Sequence, residues 1–258
     1  MRSALALLLI LVTSPAQAAD RLVTVETRPG VKVSYWWMER PDAKATLVLL
    51  PGGEGGIGMR DGTPHSQNFL VRTRDEFAGA GYNVAVVGKP SDHGDLDAAW
   101  RATPDHVADL AAVVDKVKAQ GGGKPVWLVG TSLGTISAAA AAGGMDPSRI
   151  GGIVLTSSVT GTDRYTAFSV PMLDLSRIRV PVLLMHHKED ACNVCEPGEV
   201  HRIYDALTNA PVKKLLLVSG GDMFPTDKPC QALHHHGYVG MEKQAAAYIT
   251  GWIANPQP

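Results

Sequence analysis

The pentapeptide Gly130-Thr131-Ser132-Leu133-Gly134 constrains the fold of this chain more than any other stretch of its sequence. The apolar run 125–129 precedes it and the small-residue run 136–142 follows it, which predicts a strand, a sharp turn and a helix. A G-x-S-x-G turn between a strand and a helix holds its serine in a strained conformation above the sheet edge. We therefore expect Ser132 to present its hydroxyl there, beside the free N–H groups and positive dipole end of the helix N-terminus.

Strand and helix patterns alternate along the rest of the chain. The predicted strands cover 22–27, 31–38, 45–50, 83–87, 125–129, 150–156, 180–186 and 213–218. The predicted helices cover 68–80, 104–119, 136–142, 197–208 and 239–253, and Thr103 and Pro104 supply an N-cap and an N1 proline for the second of them. This alternation predicts the α/β class, with a mostly parallel central sheet and helices on both faces.

The domain organisation follows from length and from the connections between strands. No linker-like stretch divides the chain, so we expect residues 19–258 to form a single domain. The segment 157–179 is too short to fold as a separate cap over the sheet edge, which predicts an open or shallowly covered cleft. On the second strand, Trp36 and Trp37 are expected to point in opposite directions, one into the core and one to the surface.

The first eighteen residues have the pattern of a secretory signal. Arg2 precedes the apolar run 4–12, and Ala16-Gln17-Ala18 supplies the small residues of a cleavage site. The run is shorter than the roughly 20 apolar residues of a spanning helix. We expect residues 1–18 to be a signal peptide, cleaved after Ala18 or one residue later, and the mature protein to be periplasmic or secreted without a membrane span.

The net charge and the cysteines indicate which partners and which disulfides to expect. The formal net charge of −1 gives no basic surface for nucleic acid, so we expect no nucleic-acid partner. The three cysteines are an odd number, which in an oxidising compartment leaves one thiol unpaired. We favour a bridge between Cys192 and Cys230, with Cys195 to Cys230 as the alternative. Closing a loop of that length stabilises by roughly 4 kcal/mol in the chain-entropy model.

A reactive serine needs a base within hydrogen-bond reach and an acid that orients the base. When the serine lies in a turn of this kind, the acid follows it in the chain and the histidine comes last. Asp190 lies just past a predicted strand and is our candidate acid, with Glu189 as the alternative. His236 lies before the last predicted helix and is our candidate base, because Gly237 lets the loop turn there.

The charge that develops on a reacting carbonyl oxygen needs two N–H donors. We expect one from the backbone of Leu133, which follows the serine, and one from the glycine-rich loop after the strand at 45–50. Gly53 is the first candidate in that loop and Glu54 the second. A phosphate-binding loop is disfavoured, because the lysine of a G-x-x-x-x-G-K-[ST] pattern is absent.

The histidine run 234–236 and the C-x-x-C pair Cys192 and Cys195 also invite a metal interpretation. Adjacent histidines rarely converge on one ion, and a zinc site built on C-x-x-C needs further thiolates or well-spaced histidines. We therefore expect no metal and no cofactor, with His234 and His235 packing in the loop or lining the cleft.

Several motifs together resemble the α/β-hydrolase superfamily over the whole mature chain. Within it, the chain is similar to small secreted bacterial α/β hydrolases of unassigned substrate. These proteins share G-T-S-x-G-T, D-x-C, P-C and H-G-[FY], which match here at Gly130 to Thr135, Asp190 to Cys192, Pro229-Cys230 and His236 to Tyr238. The resemblance implies a triad of Ser132, Asp190 and His236, and it supports the bridge between Cys192 and Cys230. Pro51 stands where lipase-like relatives carry the histidine of H-G-G-G.

The leading hypothesis is a serine hydrolase that cleaves a small-molecule carboxylic ester through an acyl-enzyme intermediate. A non-catalytic exported binding protein of the same fold is the alternative, since fold does not fix function. A metal or redox module built on the C-x-x-C pair is a third hypothesis.

Overall fold

The computed structural model describes residues 19–224 and 228–258. The predicted signal peptide, residues 1–18, lies outside the described residues. Of the helices in the described ranges, none has the length and apolar character needed to cross a bilayer.

The described part of the chain alternates between strands and helices, as the sequence predicts. Its strands are β1 (Arg21–Arg28), β2 (Val31–Met38), β3 (Thr46–Leu50), β4 (Met59–Arg60), β5 (Thr63–Pro64), β6 (Asn83–Pro90), β7 (Val126–Thr131), β8 (Gly152–Thr156), β9 (Val182–His187) and β10 (Lys213–Val218). Its α-helices are α1 (Phe69–Arg72), α2 (Arg74–Gly79), α3 (Pro104–Gln120), α4 (Gly134–Gly144), α5 (Val200–Ala206) and α6 (Glu242–Ala254).

One large sheet organises the molecule. Its eight strands have the order β1-β2-β6-β3-β7-β8-β9-β10, and β4 and β5 form a separate hairpin. The six strands from β6 to β10 in this order run parallel to one another, whereas β1 pairs antiparallel with β2 and β2 antiparallel with β6. The predicted α/β class with a mostly parallel sheet is confirmed. Because parallel strands end at the same edge, the loops after β3, β7 and β9 meet there.

Both faces of the sheet are covered, so alternate residues of a strand enter two separate cores. On β3, Val48 belongs to the core beneath α3, α4 and α5, and Leu49 belongs to the core beneath α1, α2 and α6. The same alternation places Trp37 in the first core and Trp36 in the second, and both side chains are buried. The expectation of one surface tryptophan is therefore wrong, because β1 and β6 flank β2 and the cores extend over both of its faces.

Three helices differ clearly from the predicted ones. The helix predicted over 197–208 is shorter, since α5 covers Val200–Ala206 and a 3₁₀ turn, Pro197–Glu199, precedes it. The predicted helix 68–80 is divided at Thr73, the last-turn cap of α1, whose N–H donates to the Phe69 carbonyl at 3.0 Å and whose hydroxyl donates to it at 2.6 Å. The last helix begins at Glu242 rather than at 239, because Tyr238 and Gly240 have left-handed φ angles of 57° and 74°. By contrast, α3 begins as predicted, with the Thr103 hydroxyl accepting from the His106 N–H at 3.3 Å.

The connection between β8 and β9 decides whether the sheet edge is covered. Residues 157–181, all of them described, contain two 3₁₀ turns, Val170–Met172 and Leu175–Arg177, and otherwise irregular chain. Residues 157–181 form no helical cap, so the cleft at the sheet edge has no separate cap domain in this range, in agreement with the prediction.

Candidate active site

The turn between β7 and α4 holds Ser132 in a left-handed conformation, with φ of 51°. A Cβ on Gly130 would lie 2.3 Å from the Gly134 carbonyl oxygen, and one on Gly134 would lie 2.0 Å from the Leu50 carbonyl oxygen. Glycine is therefore required on both sides for steric reasons. The Ser132 N–H donates to the Thr156 carbonyl at 3.0 Å, which fixes the turn against β8. The structure thus contains the strained strand-to-helix turn that the sequence predicts.

The loops after β9 and β10 bring Asp190 and His236 together. Nδ1 of His236 lies 2.8 Å from Oδ2 of Asp190, and both side chains are buried. An ionised carboxylate can only accept, so Nδ1 carries the proton and Nε2 is free to accept one. This Nε2 is buried and has no hydrogen-bond partner among the described residues. His236 and Ser132 line the same cavity.

The surroundings of Asp190 favour its ionised form. Burial acts to raise the pKa of its carboxyl, but the charge of His236 and hydrogen bonds from His236 and His186 outweigh burial and lower that pKa. Oδ1 also accepts from the Cys192 N–H at 3.0 Å. Nε2 of His186 lies 3.4 Å from Oδ2 and donates to the Cys195 carbonyl at 2.7 Å, which fixes this second imidazole beside the carboxylate. His186 was not among the predicted site residues, although it precedes Asp190 by only four positions.

Glu189, the alternative acid, is not brought to His236. Its side chain is exposed, and its backbone N–H donates to Nδ1 of His187 at 3.1 Å. The rings of His187 and His235 stack with centroids 4.4 Å apart. His234 is buried, and burial lowers the pKa of its imidazole. His234 and His235 thus pack within the histidine loop, as expected.

Side-chain contacts to backbone carbonyls hold the loop that carries His236. The Ser157 hydroxyl donates to the His236 carbonyl at 2.8 Å, and the Arg72 guanidinium donates to the Gly237 carbonyl. A Cβ on Gly237 would lie 1.8 Å from the Ala232 carbonyl oxygen. The glycine after His236 is therefore required by close packing within the loop. Arg72 was not predicted, since no local pattern links it to a loop that follows 165 residues later.

The loop after β3 completes the walls of this cavity, which has a volume of about 420 Å³. Gly53 and Glu54 line it together with Ser132 and His236. Within the described residues, the N–H groups of Gly53, Glu54 and Leu133 have no protein acceptor. All three candidates for oxyanion donors are thus unsatisfied donors close to the serine.

A larger cavity of about 780 Å³ lies between α3 and α4, with Val107 and Ala139 in its walls. Neither Ser132 nor the Asp190–His236 pair contributes to its walls. The smaller cavity is therefore the candidate site, since it alone of the two brings a nucleophile and a base together.

The cysteines pair as the resemblance implies. A disulfide joins Cys192 to Cys230, 38 positions apart, and links the loop after β9 to the histidine loop. Cys195 is free and buried, so the alternative bridge from Cys195 to Cys230 is wrong. Burial, together with the charge of Asp190, raises the pKa of the Cys195 thiol. The thiol of Cys195 therefore stays protonated at neutral pH.

Two groups of side chains place possible metal ligands within 4.8 Å of one another, and in each group at least one residue is already engaged. In the group of His187, Glu189 and His235, both nitrogens of His187 have partners, the Gly220 carbonyl at 2.9 Å and the Glu189 N–H at 3.1 Å. In the group of Cys192, Cys195 and His236, the first cysteine is in the disulfide. Neither group offers a complete set of free ligands of the kind that zinc requires.

Comparisons with known proteins bear on the fold. The sequence model of one family, described as serine aminopeptidase S33, matches residues 65–173, which include the serine turn but neither Asp190 nor His236. No curated protein sequence matches the chain.

Solved structures resemble the chain over nearly its whole length. A dienelactone hydrolase from Anabaena variabilis has a TM-score of 0.67 at 14% identity, over 94% of this chain and 100% of that one. An esterase from Pyrococcus furiosus has a TM-score of 0.65 at 16% identity, over 92% and 90% of the two chains. A cold-adapted esterase from an Arctic intertidal metagenomic library has a TM-score of 0.61 at 17% identity, over 93% and 96%. With the order of the strands and the serine turn, these matches show that the chain has the α/β-hydrolase fold.

Proposed function

We propose that the protein is a serine hydrolase that cleaves small carboxylic esters through an acyl-enzyme intermediate. One observation carries the proposal: a buried Asp190–His236 pair presents a free ring nitrogen to the cavity in which the strained Ser132 lies. The arrangement has the nucleophile, the base and the orienting acid that acyl transfer needs.

In the proposed reaction, Nε2 of His236 takes the hydroxyl proton of Ser132 while the serine oxygen attacks the ester carbonyl. Asp190 holds the imidazole in the tautomer with its proton on Nδ1 and stabilises the imidazolium that forms. The N–H groups of Leu133 and Gly53 donate to the carbonyl oxygen as it gains charge. His236 then protonates the leaving alcohol, and a water molecule hydrolyses the acyl-serine by the same route. No step needs a cofactor.

The comparisons support the same class of chemistry. Two of the similar proteins are named as esterases and a third as a dienelactone hydrolase. At 14–17% identity they share the fold with this chain, and the ester substrate remains our proposal from the site.

Replacement of the serine tests the proposal. Ser132→Ala should lower the turnover of p-nitrophenyl acetate by a factor on the order of 10³ to 10⁶, because the nucleophile is lost. Ser148→Ala removes an exposed serine outside the cavity and is the matched control, for which we expect unchanged turnover. A non-catalytic binding protein of the same fold would show no labelling of Ser132 by a fluorophosphonate, and hydrolysis that survives in Ser132→Ala would exclude the proposed nucleophile.

We also propose that the protein is exported. The signal pattern at residues 1–18 and the disulfide of Cys192 and Cys230 both fit an oxidising compartment. Intact mass of the protein purified from its own periplasm or medium should correspond to a chain that begins at residue 19 or 20. A full-length chain recovered from the cytosol with three free thiols would contradict export.

A further inference from the structure

A fully buried arginine lies beneath the glycine loop of the cavity. Arg101 uses its guanidinium to donate three hydrogen bonds: Nε to the Leu96 carbonyl at 3.0 Å, Nη1 to the Ser137 hydroxyl at 3.0 Å and Nη2 to the Gly53 carbonyl at 2.9 Å. In the described part of the chain, no carboxylate lies within ion-pair distance of this guanidinium. The third bond reaches the loop that carries the candidate oxyanion donors.

Burial of a cation without a neutralising carboxylate opposes folding, because the group loses its hydration. Burial lowers the pKa of Arg101 to about 9, against the weaker opposite effect of the Asp97 charge. The guanidinium therefore stays protonated at neutral pH. An apolar side chain of similar volume would avoid this unfavourable burial, so stability alone gives no reason for an arginine at this position.

The glycine loop forms a tight turn between Arg101 and the serine. The Gly55 N–H donates to the Gly52 carbonyl at 3.2 Å and closes the turn. A Cβ on Gly52 would lie 2.7 Å from Cβ of Ser132, whereas one on Gly55 would lie 3.2 Å from Nη2 of Arg101. The turn thus contacts the serine on one side and the guanidinium on the other, with little space to move towards either.

The contact with Arg101 fixes the orientation of one peptide group in this turn. The Gly53 carbonyl and the Glu54 N–H belong to the same peptide, which is trans like every other described peptide bond. In a trans peptide the two groups point in opposite directions. Because the carbonyl is directed to the buried guanidinium, the Glu54 N–H is directed away from it. A cationic donor on the carbonyl also polarises the peptide and strengthens its N–H as a donor.

We propose that Arg101 is a positioning residue for the oxyanion site: by fixing the Gly53–Glu54 peptide, it holds the turn in the arrangement in which the free N–H groups of Gly53 and Glu54 face the reacting carbonyl oxygen. This proposal rests on the proposed ester hydrolysis. Arg101 itself does not line the cavity and touches no substrate. Arg101 fixes the turn, and the N–H groups of the turn stabilise the negative charge that develops on the carbonyl oxygen in the transition state.

Two substitutions at this position, with a matched arginine elsewhere, test the proposal. Arg101→Met removes the donor, and Arg101→Lys keeps a cation but cannot make all three hydrogen bonds. Arg28→Met is the control, because Arg28 is a partly buried arginine that makes ion pairs with Asp92 and Asp109 near β1 and outside the cavity. Turnover of p-nitrophenyl acetate is normalised to the fraction of each variant that a fluorophosphonate labels, which corrects for unfolded protein.

We expect Arg101→Met to lower kcat about 10- to 100-fold with KM changed less than about threefold, since a displaced donor weakens transition-state binding and leaves ground-state binding intact. Arg101→Lys should recover part of this loss. Arg28→Met should lower the melting temperature and keep kcat. The proposal is overturned if kcat of Arg101→Met stays within twofold of the wild-type value. If Arg101→Met does not fold, the test uses Arg101→Lys. A variant with a lowered melting temperature but the wild-type kcat would then also overturn the proposal. Wild-type protein without esterase activity would instead remove the proposed function, and this inference with it.

Discussion

Asp190 combines a buried carboxylate with two imidazole neighbours and a backbone donor, and its titration has a predictable sign. Its folded-state pKa lies below its value in the unfolded chain, which is about 3.9. The stabilisation from its ionised form is therefore fully present above the unfolded-state pKa and is lost as the pH falls through the folded-state pKa. The proposed triad should keep its ionised acid down to about pH 4, so a loss of activity near pH 6 would report another group.

The identity of the acid can be tested by two amide substitutions. Asp190→Asn should lower kcat about 10²- to 10⁴-fold, because an amide can hold the wrong tautomer of His236 and cannot stabilise the imidazolium. Glu189→Gln makes the same chemical change one position earlier, on an exposed side chain, and should leave kcat for p-nitrophenyl acetate within about twofold. A large loss of kcat in Glu189→Gln, with normal turnover in Asp190→Asn, would identify Glu189 rather than Asp190 as the orienting acid.

The site residues divide into those that a local pattern reveals and those that only the fold reveals. Ser132, Asp190 and His236 could be selected from the sequence, because each follows a strand whose apolar run is visible. Arg101 and Arg72 could not, since each contacts a carbonyl of a loop that is distant in the chain. Every residue type has a backbone carbonyl, so the sequence of the loop does not show which side chain its carbonyls bind.

Among the elements, the disulfide is the one covalent link between the acid loop and the histidine loop. Because the bridge holds Asp190 and His236 in register, its reduction should lower both stability and turnover. The chain-entropy model gives about 4 kcal/mol for a loop of this length, which for a domain of this size is a fall in melting temperature of about 10 °C.

The measurement is a thermal melt and an esterase assay with and without dithiothreitol, and alkylation of the denatured protein counts the thiols. Reduced protein should expose three alkylatable thiols and oxidised protein one, Cys195. If the reduced protein, with three alkylated thiols, keeps the melting temperature and kcat of the oxidised protein, the bridge does not hold the two loops together.

Element boundaries were predictable where a run of apolar residues coincided with a strand, and less so elsewhere. The strand at 213–218 has the predicted bounds, because charged and loop residues flank its apolar run. The hairpin of β4 and β5 was missed, since each strand has two residues and neither can show a period. At Thr73, where the helix is divided, the hydroxyl and the N–H both donate to the Phe69 carbonyl, and a pattern of apolar residues does not record such a contact.

At the scale of the whole molecule, the shape of the cleft depends on the absence of a cap over the sheet edge at residues 157–181. The short connection at 157–181 adds no cap, so the cavity is bounded by the glycine loop, α1 and the histidine loop. Polar side chains such as Ser66, Gln67 and Gln231 form much of its wall, and Phe69 is its largest apolar side chain. A long acyl chain would cover these polar groups without giving them hydrogen bonds, which is unfavourable.

The protein should therefore prefer short acyl groups. Along a series of p-nitrophenyl esters from acetate to decanoate, kcat/KM should fall at least about 10-fold beyond hexanoate. The added methylenes would cover polar groups of the wall, and they would not gain the roughly 0.8 kcal/mol that each gains when buried against apolar surface. With no cap over the cleft, the rate should also rise smoothly with substrate concentration through the point at which longer esters form micelles. A rate that increases with chain length, or that rises abruptly when micelles form, would mean that an apolar surface outside this cavity binds the acyl chain.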